Sequence, residues 1–292
     1  MPLINSKDIL SAARTGRYGV LSLLGGDLAM TVGLVAAAEE KQAPLILVYN
    51  EEVTPMVPIE IAVPTLVNAA ERAAVPVAVI LDHGRDIDHA AHAIELGCSS
   101  VMFDGSALPF EENVAQTAAV VELAHGAGVD VEAELGSIAG SAIDLQDAGP
   151  KAAFTDPEAA AEFVERTGAD VLAISFGNVH GVYRGEPHLD LGRVRNVHAA
   201  VPIPLAMHGA SGLKDGDYPE IVESGISKIC YYTAMGIGAS DAISGFLAEA
   251  GPGNAVYHEI MASAAVYFRT ETGRLMDLVG STGAARPKGA AR

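Results

Sequence analysis

Short apolar runs alternate with amphipathic segments along most of the chain, and the runs predict buried β-strands. Eight such runs lie near residues 18–24, 44–49, 76–83, 99–106, 130–136, 171–177, 204–209 and 226–233. The segments between them have the apolar spacing of helices. Eight buried strands that alternate with helices predict an α/β fold, a (β/α)8 TIM barrel, which we assign to residues 1–280 as one domain.

Local signals mark the ends of several predicted helices. Three helices start after an aspartate in the N-cap position, at Asp27, Asp86 and Asp156. Three end before a glycine of the kind that closes helices, at Gly97, Gly168 and Gly225. An open, doubly wound sheet is the alternative architecture. It is disfavoured because the candidate functional residues are spread over strands three to eight and do not cluster at one switch point.

Composition narrows the class of protein. The 292 residues are 50% hydrophobic and 19% charged, which is typical of a globular protein with a large core. The net charge of −19 argues against nucleic acid or an anionic membrane surface as a partner. With two cysteines and no apolar leader or membrane-length apolar stretch, we expect a cytoplasmic protein. Residues 281–292 are small and basic, and predict a flexible tail.

Three histidines follow apolar runs, and each is followed directly by glycine. His83 lies in PVAVILDHG, His180 in VLAISFGNVHG and His208 in PLAMHGASG. One such histidine is typical of a satisfied core residue or a surface residue. Three in the same context predict a Zn²⁺ site, because a catalytic zinc ion takes three protein ligands and keeps one position open.

The candidate functional residues share one position relative to the predicted strands. Each falls in the last residues of a strand or in the loop that follows; they are Asp82, His83, Asp104, Glu134, His180, His208 and Ser211. In a TIM barrel the carboxyl ends of the strands form one face, which holds the active site. Placement and chemistry therefore indicate the same face.

Long stretches of the sequence resemble the class II, metal-dependent fructose-bisphosphate and tagatose-bisphosphate aldolases. The resemblance rests on VAVILDHGRDIDHAAHAIELGCSSVMFDGSALPFEENVAQT, VEAELG, GNVHGVYRGEPHLD and HGASGL, within about residues 18–233. It implies a TIM barrel that binds one catalytic zinc ion through His83, His180 and His208. We expect a small sugar or sugar-phosphate substrate, and a homodimer or homotetramer.

The resemblance also implies roles for three carboxylates. Asp82 matches the aspartate that moves the C4-hydroxyl proton during cleavage; the alternative is a carboxylate that orients a histidine. Asp104 and Glu134 match positions linked to a second or alternative metal site, which leaves room for a second divalent or monovalent cation. Without the resemblance, Asp104 is typical of a strand-end turn, and Glu134 of a buried carboxylate that needs a partner.

Small residues after two of the histidines predict an anion site. Backbone N–H groups there can form a concavity suited to phosphate; the residues are Gly181, Gly209, Ala210 and Ser211. In the family these loops hold the phosphate of dihydroxyacetone phosphate. The family's last strand usually ends in Asn-x-Asp-Thr, and here the stretch is Cys230-Tyr231-Tyr232-Thr233. Tyr232 and Thr233 are therefore expected to contact the substrate.

The departures from the family pattern lie in the apparatus for the C1–C3 fragment. Cys230 and Tyr232 stand where asparagine and aspartate are usual, and the position of a loop glutamate that exchanges a proton is Ala142. We interpret the chain as a zinc-dependent class II aldolase, an aldehyde-lyase that cleaves a ketose or ketose phosphate reversibly, with donor specificity altered from dihydroxyacetone phosphate.

Three other interpretations remain at this point. The first is an ordinary fructose- or tagatose-bisphosphate aldolase. The second is a non-catalytic metal-binding barrel subunit, which is disfavoured because a scaffold has no need of Asp82 together with three histidines. Should activity survive removal of metal, the third is a Schiff-base aldolase that uses Lys228 on the last strand.

Overall fold

Parallel strands close into a barrel in the computed structural model, which describes residues 3–140, 153–181, 183 and 185–286. The described strands are β1 (Val20–Leu24), β2 (Leu45–Tyr49), β3 (Val77–Gly84), β4 (Ser100–Phe103), β5 (Asp130–Leu135), β6 (Ala139–Gly140), β7 (Val171–Ile174), β8 (Val179–His180), β9 (Leu205–Met207) and β10 (Ile226–Cys230). The ring order is β1-β10-β9-β7-β5-β4-β3-β2, and β6 pairs with β8 outside the ring. The prediction of a TIM barrel is confirmed.

Helices connect successive strands and surround the ring. They are α1 (Ser6–Gly16), α2 (Leu28–Lys41), α3 (Ile59–Arg72), α4 (Ile87–Glu95), α5 (Phe110–Gly126), α6 (Pro157–Thr167), α7 (Leu191–Ala200), α8 (Asp217–Ser224), α9 (Thr233–Ala250) and α10 (Tyr257–Leu278). The long α10 packs against both α2 and α9 and so closes the outer layer.

The helix-end signals in the sequence act as predicted. The Asp27 carboxylate accepts a hydrogen bond from the Met30 amide at 2.9 Å, and the Asp86 carboxylate accepts one from the His89 amide at 2.8 Å. Gly168 closes α6 with a left-handed φ of 71°. These caps satisfy amides that a helix leaves without partners in its first turn.

The N-terminal helix α1 fixes the lower end of the barrel. The Ser6 hydroxyl donates to the carboxylate of Asp130, where β5 begins, at 2.9 Å. The Lys7 ammonium pairs with Asp170, just before β7, at 2.7 Å. Because α1 packs against the amino ends of the strands, the carboxyl ends form the open face.

The last described residues contact the C-terminal end of α2. The Gly283 amide donates to the Lys41 carbonyl at 2.8 Å, and the Ala285 amide donates to the Gln42 carbonyl at 2.9 Å. The rest of the expected tail, residues 287–292, lies outside the described residues, as does Ala142. Among the helices that the structure describes, none is both long and apolar enough to cross a membrane.

Candidate active site

A cavity of about 470 Å³ opens at the carboxyl ends of the strands and contains all three predicted histidines. The ring centroids of His83 and His208 lie 4.7 Å apart, and that of His180 lies 5.2 Å from the first and 5.8 Å from the second. One ring nitrogen from each histidine lies within 4.8 Å of the other two. The spacing fits three imidazoles around one small ion.

The backbone brings these histidines together in three different ways. His83 lies in β3 with a φ of 48°, which turns the chain, and His208 directly follows β9. His180 lies on β8, outside the barrel ring, where it pairs with Gly140 of β6. The strand predicted near residues 171–177 stops at Ile174, and His180 lies in the connection that follows it.

Each of the three histidines has a ring nitrogen that no hydrogen bond to a described residue occupies. Nδ1 of His83 is 2.8 Å from the Asp104 carboxylate, and Nε2 of His208 is 3.0 Å from the Glu132 carboxylate. Nε2 of His180 is buried and has no hydrogen-bond partner among the described residues. Carboxylates bonded to the far nitrogen commonly orient metal-binding imidazoles, and a buried unpaired nitrogen is costly without a ligand. The three residues therefore fit a metal ion.

The charges around the cluster act in opposite ways on His83 and His180. Burial opposes protonation of His83, but the Asp82 charge and the Asp104 hydrogen bond raise its pKa to about 9. Burial, together with repulsion from the other two imidazoles, lowers the pKa of His180 to about 3. His180 is therefore a neutral base at pH 7, and a metal ligand must be in this form.

Asp82 lies beside the cluster as a carboxylate. Burial opposes its ionisation, but the charges of His83, His208 and Lys228 outweigh burial and lower its pKa to about 2. The amide of Asn50 donates to Oδ2 of Asp82 at 3.2 Å, while Oδ1 is buried without a hydrogen-bond partner among the described residues. One oxygen is thus held in place, and the other is available to a ligand in the cavity.

Asp104 and Glu134 form a second group with His83. One ligand atom from each of the three residues lies within 4.8 Å of the others. Burial and the neighbouring Asp104 charge raise the pKa of Glu134 to about 7, and its Oε2 has no hydrogen-bond partner in the described part of the chain. Because the group shares His83 with the first cluster, it fits an alternative or second position for a cation.

A buried ion pair lies below His208 and was not predicted. The Lys228 ammonium lies 2.6 Å from Oε2 of Glu132, both side chains are fully buried, and Oε1 of Glu132 contacts His208. Burial opposes protonation of Lys228, but the neighbouring charges of Cys230, Glu132 and Asp82 raise its pKa. A Schiff-base lysine needs the opposite shift and a free amine, so the geometry disfavours that role for Lys228.

Replacing Lys228 by methionine is expected to destabilise the fold strongly. The change leaves the Glu132 carboxylate buried without its cation, and breaking such a pair typically costs about 3–5 kcal/mol. Urea denaturation of the metal-free protein measures the effect. Arg166→Gln, which breaks an exposed ion pair with Glu111, is the matched control and should leave the midpoint close to that of the wild type. Equal midpoints for the two variants would contradict the prediction.

The predicted anion loops line the wall formed by β7, β9 and β10. Gly181, Gly209, Ser211, Tyr232 and Thr233 all border the cavity. Gly209 has a φ of 70°, and a Cβ there would lie 2.1 Å from the Val179 carbonyl oxygen, so the crossing of the two loops requires glycine.

Ala210 does not fit its predicted role. It is fully buried, and its amide donates to the Cys230 carbonyl at 3.2 Å, so that amide is not available to a phosphate. Ser211 instead joins the two loops, because its Oγ accepts hydrogen bonds from the amides of Tyr232 and Ala234. The first turn of the 18-residue helix α9 therefore faces this wall of the cavity.

The unusual residues at the end of β10 also face the cavity. Cys230 and Tyr232 both line it, and Cys230 Sγ lies 3.9 Å from Nε2 of His208. Tyr232 is half-buried, and burial raises the pKa of its phenol, with a further contribution from Asp27. A thiol and a phenol therefore occupy the positions at which the resemblance leads one to expect an amide and a carboxylate.

Comparison with known proteins gives the family of this chain. Residues 4–284 match the model of the family described as fructose-bisphosphate aldolase class-II. A probable fructose-bisphosphate aldolase of Bacillus subtilis (strain 168) is 39% identical over 251 residues, which cover 85% of this chain and 87% of that protein. A fructose-bisphosphate aldolase of Geobacillus stearothermophilus is 37% identical over 85% of this chain and 87% of its own length.

The solved structures give the same answer. A crystal structure of the YdjI aldolase from Escherichia coli K12 superposes with a TM-score of 0.87 at 33% identity, and covers 97% of this chain and 100% of that chain. A putative fructose-1,6-bisphosphate aldolase from Coccidioides immitis superposes with a TM-score of 0.85 at 26% identity, over 95% and 96% of the two chains. Sequence, fold and histidine cluster together show that this chain belongs to the class II fructose-bisphosphate aldolase family.

Proposed function

We propose that this chain is a zinc-dependent aldolase that reversibly cleaves the C3–C4 bond of a ketose or ketose phosphate, with a donor specificity that differs from dihydroxyacetone phosphate. The observation that carries the proposal is the convergence of three histidines with a free carboxylate oxygen of Asp82 in one cavity. Membership of the class II family supports the reaction type, and the residues at the end of β10 support the altered donor.

The metal would be held by the nitrogens of His83 and His208 that do not contact Asp104 and Glu132, and by Nε2 of His180, which has no hydrogen-bond partner among the described residues. When bound, a divalent ion supplies Lewis-acid polarisation of the substrate carbonyl, and imidazole ligands favour zinc. Asp104 and Glu132 fix the orientation of two of the rings. Asp104 and Glu134 are proposed as ligands of a second or alternative cation.

Asp82 is proposed as the base in cleavage and the acid in condensation. In cleavage Oδ1 of Asp82 takes the C4-hydroxyl proton, and the C3–C4 bond breaks to give an aldehyde. The electron pair of that bond stays on the C1–C3 fragment, where it is shared between C2 and C3. The low pKa keeps Asp82 ionised and ready at neutral pH, and the Asn50 amide prevents the carboxylate from turning away. The C1–C3 fragment then takes a proton at C3 from solvent water, and Asp82 returns its proton to solvent.

The C1–C3 fragment is proposed to lie against the wall of β7, β9 and β10. Gly181, Gly209 and Ser211 with the start of α9 suit an oxyanion or a phosphate at C1. Thr233 lines the same wall. Tyr232 adds bulk and removes the carboxylate that is usual in the family, so a donor with a different substituent, or without phosphate, fits this wall better.

Metal analysis followed by a cleavage screen tests the proposal. The purified protein should contain one equivalent of divalent ion per chain, and His208→Ala should contain almost none. After chelation, retro-aldol activity on ketoses and ketose phosphates should disappear, and it should return with Zn²⁺. Full activity after exhaustive chelation would overturn the proposal.

An ordinary fructose-bisphosphate aldolase is the second candidate, favoured by the names of the relatives from Bacillus subtilis and Geobacillus stearothermophilus. The two candidates share the metal and Asp82, and differ only in the donor. We also propose that the protein is cytoplasmic and forms a homodimer or a homotetramer. Sedimentation of the purified protein measures the number of subunits.

A further inference from the structure

Among the described residues, Arg85 is the one lysine or arginine that lines the active-site cavity. Arg85 follows β3, two residues after the metal-binding candidate His83. Its side chain is 61% exposed, and its guanidinium lies 2.9 Å from the carboxylate of Glu51 in the loop after β2. A partly exposed cation therefore borders a cavity that is also lined by the carboxyl groups of Asp82, Asp104 and Glu134.

The barrel ring places Arg85 across the cavity from the anion loops. In the order β1-β10-β9-β7-β5-β4-β3-β2, strand β3 lies four strands from β9 in either direction. Gly209 and Ser211 follow β9, whereas Arg85 follows β3. A ketose whose C1 end lies at the β9 loop and whose C2 and C3 lie at the histidines must therefore extend toward β2 and β3.

The position of Asp82 also indicates that the substrate extends from the histidines toward β2 and β3. Asp82 is the group proposed to act on the C4 hydroxyl, and it lies on β3, bonded to Asn50 at the end of β2. Atoms beyond C4 belong to the aldehyde that cleavage releases. They must leave the metal on the side of β2 and β3, where Arg85 stands.

We propose that Arg85 binds an anionic group, a carboxylate or a phosphate, at the far end of the acceptor aldehyde. A guanidinium matches either anion through two parallel N–H donors. Glu51 holds the guanidinium while the subsite is empty, and the ligand anion displaces it. Glu51 retains a second basic neighbour, since Nε2 of His89 lies 3.8 Å from the same oxygen. The assignment rests on the proposed function and adds the class of acceptor to it.

Condensation kinetics with matched aldehydes test the assignment. Dihydroxyacetone phosphate and dihydroxyacetone serve as donors. Glyceraldehyde is compared with glyceraldehyde 3-phosphate, and butanal with succinic semialdehyde, so that each neutral acceptor has an anionic counterpart. Arg85→Gln should lower kcat/KM for the anionic member of the favoured pair about 10- to 100-fold, as expected for a lost charge-assisted contact. The rate with the neutral member should stay within about threefold of the wild type.

Two further variants sharpen the test. Glu51→Gln removes the competing carboxylate and should lower KM for the same anionic acceptor several-fold. Arg72→Gln removes an equal charge from the exposed end of α3, outside the cavity, and should change neither acceptor. If Arg85→Gln slows the reaction of glyceraldehyde 3-phosphate, the subsite binds phosphate; if it slows the reaction of succinic semialdehyde, the subsite binds carboxylate.

The possible failures are separable. If Arg85→Gln lowers the rate equally with neutral and anionic acceptors, or with neither, the Arg85 assignment is overturned and the aldolase proposal stands. If the wild-type protein with bound metal condenses none of the aldehydes with either donor and also cleaves no ketose or ketose phosphate in the screen, the proposed function fails and the Arg85 assignment falls with it.

Discussion

Asp82→Ala should keep its full equivalent of metal and lose about 10²- to 10⁴-fold in kcat, the usual range for removal of a general acid–base group. The carboxylate lies next to His83 in sequence, yet its Oδ2 is bonded to Asn50 and its Oδ1 is buried with no hydrogen-bond partner among the described residues. The three histidines form a group of ligand atoms within 4.8 Å of one another that does not include Asp82. In this variant we therefore expect the metal content to stay unchanged while the steady-state rate falls.

Two companions make the result interpretable. Asp82→Asn keeps the shape and the contact region of the carboxylate but cannot take a proton, so it should be nearly as slow as the alanine variant. His180→Ala should lose metal and activity together, because it removes one of three ligands. If Asp82→Ala loses metal in proportion to its rate, the carboxylate acts by orienting a histidine, and the proton-transfer role is wrong.

The barrel could be predicted from the sequence because its signals are local. Each barrel strand is a short apolar run, and caps such as Asp27 and Asp86 act within one helical turn. The carboxyl ends of parallel strands must meet at one face whatever the details of packing. Asp82, His83 and His208 could therefore be assigned to a common site before any distance was known.

The position of His180 could not be predicted in detail from local sequence signals. The sequence VLAISFGNVHG gives no sign that the barrel strand ends at Ile174 and that a two-residue strand follows. The pairing of β8 with β6 joins residues from two different loops. Such a contact depends on the closed ring and leaves no periodic pattern in the chain.

The supporting residues were missed for a related reason. Asn50 ends an apolar run, PLILVYN, and a polar residue at the end of a predicted strand is a signal for a site residue. Lys228 was predicted only as a fallback Schiff-base lysine, and Glu132 carried no comparable signal, because the role of a charged residue in an apolar run is explained only when its partner is known. Their pairing across the barrel, below His208, required the ring order.

Ala210 and Ser211 illustrate the limit of a motif. The run HGASGL suggests a nest of backbone amides, but an amide serves a phosphate only if no carbonyl already accepts from it. The Ala210 amide is taken by the Cys230 carbonyl, whereas Ser211 uses its hydroxyl to hold the start of α9. Spacing alone predicts the loop, and the hydrogen-bond partners decide which of its groups face the cavity.

Fructose 1,6-bisphosphate is expected to be a poor substrate of the wild-type protein despite the intact histidine cluster. Cys230 and Tyr232 line the cavity where the family usually presents an asparagine and an aspartate to the donor fragment. A lost hydrogen bond to a buried polar group typically costs about 1–3 kcal/mol. Two such losses correspond to a kcat/KM for cleavage of fructose 1,6-bisphosphate that is roughly 30-fold to 10⁴-fold lower than the kcat/KM for a ketose with the preferred donor part.

Restoring both side chains should reverse part of that loss. Cys230→Asn combined with Tyr232→Asp is expected to raise kcat/KM for fructose 1,6-bisphosphate at least about tenfold, since each regained hydrogen bond is worth about that factor. Tyr257→Asp makes the same side-chain change on the exposed start of α10 and should have no effect. Metal content must stay at one equivalent in every variant, because Cys230 lies close to His208. Wild-type turnover of fructose 1,6-bisphosphate near the typical enzyme value of about 10 s⁻¹ would show that the thiol and the phenol are tolerated, and the ordinary fructose-bisphosphate aldolase would then be the correct assignment.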